Sequence, residues 1–160
     1  MDERTEQLFV AAVREKRRGL WRIAFSILRS EADAEDAVSA GVERTWQKLA
    51  RIRSEEAIPA YLTRSVINAA HDELRRRKHL TPLEPLEDVL PAPEDGGIAG
   101  YVSSLEEKYR LPILLKFDEE LPEKEIARIL RIPRGTVSSR ITRGIAMIRS
   151  QMRQEENDHD

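Results

Sequence analysis

Between His79 and Gly100 the chain carries four prolines (Pro82, Pro85, Pro91, Pro93), three glycines and five acids, and no lysine or arginine. Proline removes a backbone donor and crowds the preceding turn, and glycine loses the most freedom on ordering, so this composition supports no regular helix. The stretch is expected to be an extended acidic linker over residues 79–100, and it leaves two flanking segments that must each bury a core. In both flanks apolar residues recur at helical spacing, and nowhere do they alternate as in a strand. The expectation is an all-α protein: a helical domain over residues 1–78, a smaller one over 101–153, and a frayed polar tail over 154–160.

In the first segment Leu8, Phe9, Ala12 and Val13, then Leu20, Trp21, Ala24, Phe25 and Leu28, keep helical spacing. Ser30 is a capping residue for a helix from about Asp33 to Leu49, with Ala34, Val38, Val42, Trp46 and Leu49 inward. Its outer arc is then Asp33, Asp36, Glu43 and Gln47, which suits either plain solvation or a basic partner surface. A break spans residues 51–58, after which Pro59 opens a helix with Leu62, Val66 and Ala69 inward. Arg64, Asn68, His71 and Arg75 lie opposite, and the helix closes on Arg75, Arg76, Arg77 and Lys78. Four cations at a helix C-terminus either complement the helix dipole or meet phosphates.

The second segment carries its charge differently. From Ile126 to Gln154 there are seven arginines and no acid. Pro122 suits a first helical position, Glu123 and Glu125 favour the opening turn, and Ile126, Ala127 and Leu130 make one apolar stripe running to about Arg131. Pro133 breaks the ladder and starts a second helix, whose Val137, Ile141, Ile145 and Ile148 fall within about an 80° arc at roughly 100° per residue. The opposite arc presents Thr136, Ser139 and Arg143, with Arg140 on its flank. A short helix, a tight turn and a second helix with small polar side chains and arginines outward matches a helix-turn-helix reading a DNA major groove, or else a small helical hairpin with an Arg-rich solvent face.

The formal charge of −2 would argue against a nucleic-acid partner, but the charges are segregated and local fields matter more than the sum. With no cysteine and three scattered histidines (His71, His79, His159), neither disulfides nor a zinc site is expected, and no cofactor or metal. No apolar run approaches about 18 residues and no signal peptide is present, so a cytoplasmic protein without membrane insertion is expected. Asp33, Glu35 and Asp36 lack a companion histidine, phosphate loop or nucleophile, which disfavours an enzyme.

Three strings, in this order, resemble the bacterial extracytoplasmic-function sigma factors of the sigma-70 family. Asp33-Ala34-Glu35-Asp36-Ala37-Val38 with Arg44-Thr45-Trp46 is similar to region 2.2. Tyr61-Leu62-Thr63-Arg64 with Asn68, Asp72, Leu74 and the run from Arg75 to Lys78 is similar to regions 2.3 and 2.4. Leu105-Glu106-Glu107-Lys108-Tyr109-Arg110, Glu125-Ile126-Ala127 and Ile132-Pro133-Arg134-Gly135-Thr136-Val137-Ser138-Ser139-Arg140 look like region 4. The likeness covers most of residues 5–150.

The resemblance implies an initiation factor that binds core RNA polymerase, through the β′ clamp and β flap, and directs it to promoters. It implies that Asp33, Asp36, Glu43 and Gln47 dock on polymerase. Arg51, Arg53 and Tyr61 would take a flipped base of the −10 element, a task that needs cations and a stacking surface. Arg64, Asn68, His71, Arg75, Arg76, Arg77 and Lys78 would hold the melted strand, and Arg134, Thr136, Ser138, Ser139, Arg140 and Arg143 would read the double-stranded −35 element. Tyr61 is equally suited to the core, and Asn68 and Asp72 to packing or capping. The resemblance further implies a linker near the path of emerging RNA and an anti-sigma partner. Ser39, Ala40 and Val42 depart from the family's usual Gln, acid and aromatic, and Ser138 and Ile145 replace frequent basic residues. The alternative is a regulator that binds duplex DNA by its helix-turn-helix alone.

Overall fold

The computed structural model describes residues 2–80 and 98–159, and the helices fall into two compact units. The first unit holds α1 (Glu3–Leu28), α2 (Glu31–Lys48) and α3 (Ile58–Leu80); the second holds α4 (Ile98–Ser104), α5 (Glu107–Ile113), α6 (Glu123–Leu130) and α7 (Arg134–Asp158). Among the described residues there is no strand.

In the first unit Asp2 caps α1, its carboxylate accepting from the Arg4 amide, and Arg29 closes the helix in a left-handed conformation with φ 54°. Ser30 caps α2 as its type predicts, its hydroxyl accepting from the Asp33 amide at 3.3 Å. The three helices pack on Leu20, Ile23, Ala24, Leu49, Leu62, Val66 and Ala70, all nearly or fully buried. α2 keeps Ala34 and Val38 inward as expected, but its buried face is rotated away from Val42 and Trp46. Ala34, Ala37, Val38, Gly41 and Thr45 are buried, Val42 is only half-buried and Trp46 is 43% exposed. Small residues win the inner position because the helices approach too closely for larger ones. A Cβ on Gly41 would stand 2.5 Å from Val66 Cγ2 and 2.8 Å from Val66 Cα. Trp46 instead packs across Phe9 on α1, with ring centroids 5.5 Å apart.

In the second unit α5 contains Pro112 and runs into a π-turn over Leu114–Asp118, closed by the Glu119 amide on the Leu114 carbonyl. Leu115, Ile126, Val137 and Ile141 form the centre of the core. Pro122 and Pro133 each sit one position before their helices, as N-caps, and Arg131 ends α6 at φ 57°. On α6 it is Ile126 and Ile129 that are buried, while Ala127 and Leu130 are half-buried.

Two expected boundaries move. Residues 81–97 of the expected linker lie outside the described residues, but His79 and Leu80 continue α3 and Ile98 to Gly100 open α4. The expected frayed tail is helical through Asp158. Glu155, on that extension, accepts the Tyr101 phenol, which pushes the phenol's pKa up.

Candidate nucleic-acid and polymerase interfaces

α2 turns Asp36, Glu43 and Gln47 to solvent together, with the exposed Trp46 beside them. Asp33 does not belong to that face. It is half-buried and bonded to the Arg77 guanidinium, which also donates to the Leu28 carbonyl at 2.8 Å. Arg77 is thus a brace joining the ends of α1, α2 and α3, and not an outward cation. The periodicity carries the signal, since Arg77 stands three helical turns beyond Val66 on the same inner face. Burial pushes its pKa below the ordinary arginine value, yet the carboxylate beside it suits the charged form.

The remaining α3 residues form a stripe. Arg64 and His71 are half-buried and Asn68, Arg75 and Lys78 exposed, all on the side away from Leu62 and Val66, with Tyr61 half-buried at its start. The arginines at its end are already engaged. Arg75 bonds Asp72, which also takes Arg44 from α2 at 3.1 Å. Arg76 lies on Glu73 through two bonds of 2.9 and 2.7 Å, which hold the Glu73 carboxyl below the usual carboxylate range.

Between α2 and α3, two short 3-10 turns over Leu49–Arg51 and Glu55–Ala57 bracket a loop. Against the start of α1 they enclose a pocket of about 360 Å³, its polar lining being Asp2, Thr5, Arg53, Ser54 and Glu55. Of the three residues expected around an extruded base, Arg53 lines this pocket, and Arg51 and Tyr61 do not. Asp2 and Thr5, from the start of the chain, were not foreseen there. Nothing in local periodicity signals that α1 begins beside this loop.

On α7 the apolar stripe Val137, Ile141, Gly144 and Ile148 is buried, with Ile145 half-buried at its margin. Arg134, Ser139 and Arg143 are exposed, and Thr136 and Arg140 half-buried. Ser139 donates back to the Thr136 carbonyl at 3.2 Å. Ser138 departs from the expectation: its hydroxyl donates to Glu123 Oε1 on α6 at 2.8 Å, so it faces the neighbouring helix. Two residues join the exposed face that periodicity alone left out. Thr142 stands beside Arg143, and Gly135 has open space where a Cβ would be. Among the described residues no helix is long and apolar enough to cross a membrane.

Comparison with known proteins agrees with this division. Residues 12–80 match the family description Sigma-70 region 2, and residues 98–148 match Sigma-70, region 4. The chain is 26% identical over 158 residues to RNA polymerase sigma factor SigV of Bacillus subtilis, covering 95% of each. It is 31% identical over 150 residues to ECF RNA polymerase sigma factor SigM of Mycobacterium tuberculosis, covering 89% of this chain and 74% of that protein. Among solved structures, the sigma factor RpoE of Bartonella quintana, in complex with the anti-sigma factor NepR, shares the fold. Its TM-score is 0.75 at 17% identity, over 95% of this chain and 98% of that one. CnrH, solved with the cytosolic domain of CnrY, gives 0.67 at 23% identity over 91% and 88%. With both regions present in order and a relative above 30% identity along most of its length, the chain belongs to the extracytoplasmic-function sigma factors of the sigma-70 family.

Proposed function

We propose that the chain binds core RNA polymerase and directs it to promoters, its first unit docking on polymerase and opening the −10 element, its second reading the −35 element. The observation that carries this reading is the presence of two separate basic helices, each in its own family region. A factor that must meet two promoter elements needs two such faces, whereas a simple regulator pairs two copies of one. In the first unit, Asp36, Glu43 and Gln47 form the docking face, with Trp46 as an apolar anchor among them. Arg64, Asn68, His71, Arg75 and Lys78 track the single strand, and the pocket beside Arg53 receives an extruded base. In the second, Arg134, Ser139, Thr142 and Arg143 enter the major groove, with Thr136 and Arg140 on the flank.

Polymerase supplies the chemistry, and the chain is not itself an enzyme. It acts in the cytoplasm, where core polymerase is found. One protein of like fold was solved with an anti-sigma factor and another with the cytosolic domain of a second protein, and an anti-sigma partner is expected here. The test is co-migration with purified bacterial core polymerase, followed by promoter-fragment binding. The reading expects a stable complex that binds promoter DNA where neither component does so alone. Sequence-specific duplex binding by the chain alone, without core association, would support a stand-alone regulator instead.

A further inference from the structure

Glu123 stands half-buried in the first turn of α6, and its two carboxylate oxygens go to two other elements. Oε1 accepts the Ser138 hydroxyl of α7 at 2.8 Å, and Oε2 lies 3.8 Å from the Lys116 ammonium on the π-turn. One carboxylate therefore ties together the segment before the helix-turn-helix, its first helix and its second. The apolar stripe beneath α7 decides which side faces inward, but burial is non-directional and resists a small rotation weakly. A charge-assisted hydrogen bond is directional. This one acts in the second turn of α7, among the side chains that face outward.

We propose that Glu123 is a positioning residue for promoter reading: through Ser138 and Lys116 it sets the rotation of α7, and so which base edges Ser139, Thr142 and Arg143 meet. The inference rests on α7 being the −35 helix. The same contacts serve a second end. The first helix of a helix-turn-helix crosses the phosphate backbone, where a loose carboxylate in its first turn would repel DNA. Ser138 and Lys116 hold that charge inside the unit. Ser138, expected to contact DNA, acts instead on the helix that does.

The test uses holoenzyme assembled from the full chain and bacterial core polymerase. The templates form a pool with a fixed −10 element and start region and a randomised −35 element. Glu123→Ala and Ser138→Ala are expected to flatten the ranking of −35 sequences, the best losing about five- to tenfold in transcript while the start site is kept. Glu123→Gln, which keeps an acceptor for Ser138, should restore the original ranking. The double variant should lose little more than either single one, since both remove the same bond. A merely structural role would lower the melting temperature of Glu123→Ala and leave the ranking intact, which would overturn the proposal. If Glu123→Ala fails to fold, Ser138→Ala carries the decision, because it removes one hydroxyl. Arg143→Ala in the same pool separates the two levels. If it too leaves the ranking unchanged, the assignment of α7 has failed and the proposal falls with it.

Discussion

At the end of α3 each arginine has a carboxylate beside it, whereas among the described residues Arg134, Arg140 and Arg143 of α7 have none. Arg75 and Arg44 share Asp72, Arg76 lies on Glu73, and Arg77 is braced by Asp33. From Arg134 to Arg153 no acid stands on α7, and among the described residues no carboxylate pairs with Arg134, Arg140 or Arg143. A paired cation has much of its field cancelled by its partner, while an unpaired one projects it in full. Formal charge therefore overstates the pull of α3 on a polyanion. The first unit offers a face whose terminal arginines are held in place, and the second is expected to supply more of the salt-dependent attraction.

The units also differ in how tightly their helices close. At Gly41 an added Cβ would meet Val66 Cγ2 at 2.5 Å and also Val66 N and Cα at 2.7 and 2.8 Å, backbone that cannot step aside; at Gly144 the atom 2.5 Å from an added Cβ is Ile113 Cδ1, the end of a flexible chain. Gly41→Ala is expected to destabilise the first unit by roughly 3 kcal/mol, and Gly144→Ala the second by about 1 kcal/mol. Separate unfolding transitions in calorimetry would check this, and equal losses would break the contrast. Arg77→Ala should cost about 1–3 kcal/mol, because it strands the half-buried Asp33, while Arg75→Ala on the exposed side should cost under about 0.5 kcal/mol. Denaturant titration of the two variants distinguishes brace from surface cation.

Function should divide in the opposite sense. Arg143→Ala is expected to reduce use of −35-dependent promoters about tenfold and to leave melting temperature and core binding unchanged. Run-off on promoters with and without a −35 element measures it. Reversing Asp36 and Glu43 to Lys should weaken core binding several-fold, about tenfold at low salt, through repulsion of a basic surface. Fluorescence titration of core against the labelled variant decides it; unchanged affinity would make this arc a solvated face only.

The smallest effect concerns pH. The Arg76 bonds hold Glu73 below its ordinary pKa. The stabilisation is therefore fully present above the unfolded carboxylate value, about 4.3, and is lost as pH falls through the lower folded value. Glu73→Gln should make the acid limb of the melting-temperature profile shallower by a small margin, since the pair is partly solvated.

The division of the chain, the cap at Ser30, the break at Pro133 and the buried stripe of α7 were legible because each rests on local chemistry: a proline, a capping hydroxyl, a 3.6-residue period. The inner face of α2 was legible only in part: Ala34, Val38 and Leu49 are buried as expected, Val42 and Trp46 are not. There the largest apolar residues suggested an arc through Val42 and Trp46, and the close approach of α3 selected Ala37, Gly41 and Thr45 instead. Size is read from sequence, but interhelical distance is not. For the same reason Asp33, Arg77 and Ser138 were grouped with outward residues. Each has a partner on another helix, 44 positions away for Asp33 and Arg77 and 15 for Ser138, and a polar residue that faces a neighbour looks in sequence like one that faces water. The pocket beside Arg53 depends on α1 beginning against a loop some fifty residues later, which no period encodes.

The central claim is that this chain programs polymerase through both units. It is tested most directly by run-off transcription from fragmented genomic DNA with purified bacterial core polymerase, with and without the protein, mapping the start sites. The account predicts discrete protein-dependent starts that share an upstream motif in two separated parts. An absence of starts, or starts whose shared motif has only one part, would contradict it.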